Sequence, residues 1–248
     1  MRDFEDSTLW RISEFERMRL SGSSGYARLE GPSMLPSTLL QDLQHLEFET
    51  RDGNDVLEVT AACVRHREAA LLYLQHDGLV WPLTLFPAQM LYHAPRELAG
   101  TEQLGDLSVM SAEPPGVRPP GHWMHERVAQ TAHYRPLRPL LWMLALKGPR
   151  SALLAEIGGT AAYRAVAQPL GDGLVAPGAL GPAVERLRRE AVALRTLAGW
   201  PGMSIERASR LLNALYLVSS LVVTRTHHAA RDEPGLARRW LGALRGRH

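Results

Sequence analysis

The chain is 248 residues long, 45% hydrophobic and 22% charged, with a single cysteine and a formal net charge of +2. This composition excludes collagen-like, wholly disordered and disulfide-stapled proteins, and it leaves one large or two small packed domains, because a single core typically serves about 100 to 200 residues. The longest apolar stretch, Leu211 to Val223, is interrupted by Asn213, Tyr216, Ser219 and Ser220 and falls short of the roughly 20 residues that span a bilayer, so no membrane partner is expected.

Met1 to Arg11 alternates acid and base without the apolar region of a secretory signal. Cys63 lies in the apolar run Val59 to Val64 and reads as a small buried hydrophobe. Together these favour a cytoplasmic protein. The charge is divided unevenly. Residues 1–124 hold 18 acids and 10 bases, or −8, and residues 125–248 hold 8 acids and 18 bases, or +10. Such asymmetry points either to a segment that meets a polyanion or to mutual attraction of the two halves. Lys147 is the only lysine, and the arginine preference reflects a GC-rich coding bias rather than phosphate binding.

In chain order, Leu9, Ile12, Phe15, Met18 and Leu20 recur at helical spacing and predict an amphipathic helix, and Leu35 to Leu46 predicts a second. Val56 to Val64, with β-branched residues after a Gly, Asn and Asp turn, predicts a strand. Leu71 to Leu74 and Leu79 to Leu85, joined by His76, Asp77 and Gly78, predict a hairpin. Glu113 to Gly121, with four prolines, predicts a linker or exposed loop. Beyond it, helices are predicted at Leu137 to Leu146, Ser151 to Ile157, Thr160 to Gln168, Ala183 to Leu197 and Ser204 to Val218. The expected fold class is α+β. A small antiparallel sheet with flanking helices fills residues 1–112, a proline-rich linker 113–124, and a mostly helical basic domain 125–248.

The order helix, helix, helix and short strand over Leu137 to Val175 resembles the winged-helix variant of the helix-turn-helix family. Ser204 to Thr226, a helix followed by the strand-like Leu221 to Thr224 and a polar loop to Pro234, resembles the end of the same unit again. The resemblance covers about 100 residues and rests on element order, without a specific motif. It implies a helix for the DNA major groove and a wing for phosphates. By position, the nucleic-acid candidates are Arg164 and Gln168 on one helix, Arg207, Arg210 and Asn213 on the other, and Arg225 and Arg231 in the loop. Winged helices also dock proteins, so the implied partner is nucleic acid or an acidic protein, and a homodimer is left open. Arg186, Arg188, Arg189 and Arg195 surround the stripe of Val184, Leu187, Ala191 and Leu194 and read as a solvated face. Arg238, Arg239, Arg245 and Arg247, with Trp240, form a basic tail. In the N-terminal half, Leu39 to Val80 resembles the PATAN-type modules of bacterial signalling adaptors, in a helix followed by antiparallel strands and the phrase His76 to Gly78.

Two chemical motifs carry less weight. Gly31, Ser33, Met34, Pro36 and Thr38 resemble the nucleophile box of type I signal peptidases, in which a neutral buried lysine activates the serine. The only lysine here, Lys147, lies more than a hundred residues away, and Ser33 reads better as a helix cap. His122, His125 and His133 have metal-compatible spacing, but Glu126 is the only acid nearby. No phosphate-cradling glycine loop or carboxylate pair stands out. The expectation is a bacterial cytoplasmic regulator without enzymatic activity or cofactor, whose winged-helix-like domain binds nucleic acid. The alternative is an adaptor that uses the same domain to dock protein.

Overall fold

Trp10 and Arg11 form a short strand, β1, and Ile12–Leu20 form the helix α1 that the apolar spacing predicts. The computed structural model describes residues 9–21, 34–47, 53–98, 104–121, 131–168, 170 and 173–226. The buried Phe15 of α1 lays its ring on Tyr73, with centroids 4.6 Å apart, and the two share an apolar cluster with Leu71 and Val80. Burying a side chain of that size contributes about 1.5–3 kcal/mol. α2 (Ser37–His45) follows Pro36 and buries Leu39.

The predicted strand at Val56 to Val64 is a helix, α3 (Val56–His66). Asp55 caps its start, Oδ1 accepting from the backbone N–H of Leu57 at 2.8 Å and of Glu58 at 3.3 Å, and Arg67 closes it in the left-handed conformation. Every residue from Val56 to Cys63 is buried, so the run carries no amphipathic period. A short apolar run of this kind is compatible with a buried helix as well as a strand. The capping aspartate decides for the helix.

The predicted hairpin is present as β2 (Ala70–His76) and β3 (Leu79–Phe86). Asp77 and Gly78 connect them with φ of 49° and 73°. Two successive positive φ values match the twist of the paired strands, and this is why an Asp-Gly pair stands there. β4 (Leu91–His93), β5 (Ser108–Glu113) and β6 (Tyr134–Pro136) extend the antiparallel sheet in the order β5-β2-β3-β4-β6, with β1 beside the start of β3. Five consecutive residues of β2, Ala70 to Leu74, are buried, so both sheet faces are covered.

The chain divides into two compact units, Met1–Arg150 and Ser151–His248, rather than at the proline-rich 113–124. The reason is pairing. β6 joins β4, and the Leu137 N–H that opens α4 (Leu137–Lys147) donates to the Met90 carbonyl at 2.9 Å, which ties α4 to the first sheet. The expected linker is partly packed as well: Val117 is buried, and the Arg118 carbonyl accepts from the Tyr134 hydroxyl.

In the second unit, Ser151 to Ile157 holds only a 3-10 turn at Ala155–Ile157, and the predicted helix Thr160 to Gln168 is a strand, β7 (Ala162–Ala165). Leu174 and Val175 do not form a strand. The predicted helix Ala183 to Leu197 is broken into α5 (Leu180–Leu187), β8 (Val192–Ala193) and α6 (Leu194–Ala198). α7 (Ile205–Leu217) and β9 (Leu221–Thr224) complete the unit. Its sheet is antiparallel in the order β8-β7-β9. β7 becomes a strand because it lies between two partners, with Ala162, Tyr163 and Ala165 buried and Arg164 exposed. The whole is α+β.

Candidate functional site

The sequence-derived candidates Arg164, Gln168, Arg207, Arg210, Asn213 and Arg225 all lie in the second unit, and the structure disperses them. Arg231 lies outside the described residues, as do Ser33, His122, His125, Glu126 and the basic tail. Arg164 is exposed on β7 in register with Val222 of β9, itself 47% exposed, so it stands on a sheet rather than on a groove-reading helix. Gln168 is exposed in the bend after β7.

α7 begins at Ser204, whose Oγ accepts from the Arg207 N–H at 3.2 Å. Arg207 turns its guanidinium back, Nη1 donating to the Gly202 carbonyl at 2.6 Å. Gly202 is at φ 73°, and a Cβ there would stand 2.7 Å from the Ala179 Cβ, so the turn that receives Arg207 requires glycine. Arg210 Nε donates to Glu206 Oε1 at 3.0 Å, one turn earlier on the same helix. Arg225 holds two carbonyls, of Gly158 at 2.9 Å and Glu156 at 3.0 Å, fastening the end of β9 to the 3-10 turn.

Asn213 must be removed from the nucleic-acid candidates. It is 0% exposed, its Oδ1 accepts from the Leu154 N–H at 2.9 Å, and its Nδ2 donates to the Ala152 carbonyl at 2.9 Å. Fully buried, the amide cannot reach a base edge. The arginines around α5 and α6 follow a similar pattern: Arg186 pairs with Glu190 and lies 4.3 Å above the Trp200 ring, and Arg188 pairs with Glu185 at 2.7 Å. Arg164, Arg189 and Arg195 are exposed and form no ion pair among the described residues.

The first unit carries a polar cleft of about 640 Å³ between α2 and α3, lined by Thr38, Gln41, Asp42, His45, Arg65 and His66 among others. Asp42 accepts from Arg65 and lies 3.1 Å from His66 Nε2. Burial alone would raise its carboxyl, but the hydrogen bonds and charges of Arg65 and His66 outweigh that and hold it below the ordinary carboxylate value. Asp42 is therefore a locked anion, suited to orienting its neighbours rather than to taking a proton. Sequence reasoning missed this cluster because its members stand 23 and 24 residues apart.

No family model matches the chain, and no curated protein or solved structure matches it either. Among the described residues, no helix is long and apolar enough to cross a membrane.

Proposed function

We propose that this chain is a non-enzymatic regulatory adaptor of the bacterial cytoplasm, and that its second unit is a winged-helix-like module that docks a protein. The order α5, β8, α6, α7, β9 supports the winged-helix reading, since a strand separates the first helix from a helix-turn-helix pair and another follows it. One observation carries protein over DNA. α7, the helix that would enter a major groove, is buried from Leu211 to Leu215 and exposes only its start, where Ile205 and Glu206 stand beside Arg207. A groove-reading helix needs a polar exposed face and unengaged donors. A short apolar and acidic turn fits a protein surface better, and Val222 beside Arg164 adds a mixed apolar and basic patch of the kind an acidic partner covers.

A photo-crosslinker placed at position 222 or 205 tests this in the organism's own cytoplasm. One defined protein partner, lost with Arg164→Glu, is the expected result. Recovery of nucleic acid instead would overturn it. A second reading, nucleic-acid binding, is favoured by the exposed Arg164, Arg189 and Arg195. It requires duplex binding that weakens steeply between two salt concentrations, and a shallower salt slope on charge reversal at those three positions.

A further inference from the structure

The tip of the β2–β3 hairpin holds a histidine in an unusual position. His76, the last residue of β2, is 2% exposed, and its Nδ1 lies 2.6 Å from Asp106 Oδ1. The other oxygen of Asp106 accepts from the Asp77 backbone N–H at 3.0 Å, so one carboxylate grips both the ring and the turn. The carboxylate occupies Nδ1, so Nε2 is the ring nitrogen left to meet a ligand. Nε2 is buried and has no hydrogen-bond partner among the described residues. Asp77 Oδ2 lies 3.5 Å away, too far for a hydrogen bond, on a side chain that is 78% exposed.

We infer that this hairpin tip is a binding site for a divalent transition metal of the zinc, cobalt or nickel kind, with His76 Nε2 and the Asp77 carboxylate as ligands and Asp106 as the positioning carboxylate. One nitrogen or oxygen from each of His76, Asp77 and Asp106 lies within 4.8 Å of the others, so the two ligands and the positioning carboxylate form one cluster. With metal–nitrogen and metal–oxygen bonds of about 2.0–2.2 Å, a nitrogen and an oxygen 3.5 Å apart subtend an angle of about 105–120° at a shared ion, near tetrahedral. The carboxylate–histidine arrangement that fixes the imidazole is the usual outer support of a metal ligand. Imidazole nitrogen selects borderline metals over calcium and magnesium, which prefer oxygen alone. Two protein ligands leave the solvent side to water or to a donor from a partner, so the site is exchangeable rather than structural. Residues 76, 77 and 106 escape sequence inspection because Asp106 arrives from the turn after Leu104, thirty residues beyond His76.

The test uses the full chain, stripped with chelator and titrated with zinc or cobalt, read by calorimetry and by the nitrogen resonances of the histidine rings. The expected result is a shift at His76 Nε2 that saturates below millimolar metal. Asp77→Asn, at an exposed position whose positive φ suits asparagine, should abolish that shift while the circular dichroism spectrum is unchanged. Asp106→Asn should weaken it about 10- to 100-fold without abolishing it. The proposal is overturned if millimolar zinc leaves His76 Nε2 unmoved or if Nε2 carries a proton at neutral pH that metal does not displace. Undiminished binding by Asp77→Asn overturns it as well, since the metal then sits on other histidines.

Discussion

Arg150 Nη1 donates to Asp55 Oδ2 at 2.7 Å, while the other oxygen of the same carboxylate caps α3. Arg150 Nη2 lies 2.8 Å from Glu58 Oε1, on a side chain only 5% exposed. One guanidinium therefore neutralises two carboxylates at the start of a helix that is buried from Val56 to Cys63. Removing it would take the guanidinium from both carboxylates. Arg150→Met is expected to destabilise the protein by about 3 to 5 kcal/mol, the typical cost of leaving a buried partner uncompensated. Chemical denaturation checks this, and Arg150→Lys should recover only part of the loss because an ammonium lacks the planar fork.

Asn213 joins α7 to the backbone on either side of Leu153. Asn213→Leu fills a similar volume but leaves the Leu154 N–H and the Ala152 carbonyl without their partner. It should cost at least about 2 kcal/mol by denaturant unfolding. If Asn213 instead faced a ligand, the substitution would lower binding and leave stability intact.

His93 is buried beside Tyr134 and His133, and burial, with the charges of His133 and Arg135 adding to it, pushes its pKa down to about 4. A histidine lowered in the folded state lends stability in full above its unfolded value of about 6.5 and loses it as pH falls toward about 4, because the unfolded chain takes up the proton first. The first unit should therefore lose up to about 3 kcal/mol across that window. His93→Phe keeps a ring in place and should flatten the profile, as unfolding midpoints measured at several acid pH values would show.

The Cys63 thiol is buried and pushed up to about 12 by desolvation. Native protein should resist thiol reagents at mildly alkaline pH, and labelling should proceed at the rate of unfolding. The folded state holds this proton more tightly than the unfolded chain, so stability is complete below about pH 8.5 and declines above it. Cys63→Ala should lose that alkaline decline.

The features legible in the chain alone were local. The Asp-Gly pair specified its hairpin through the two positive φ values it tolerates, the spacing of Phe15 and its neighbours specified α1, and the apolar flanks of Cys63 specified its burial. Each depends on neighbours in the chain, so each can be read from it. Val56 to Cys63 and Ala162 to Ala165 could not be read that way. A short apolar run has no period of its own when every side is covered, and β7 is a strand because β8 and β9 come from 30 and 60 residues away to pair with it. The +10 balance of the C-terminal half likewise says nothing of which arginines are at liberty. Arg207, Arg210 and Arg225 bind their own chain and Asn213 is enclosed, while His76 meets Asp106 across the fold. Tertiary structure decides such matters because the free energy of a charge or a polar group depends on what surrounds it in space.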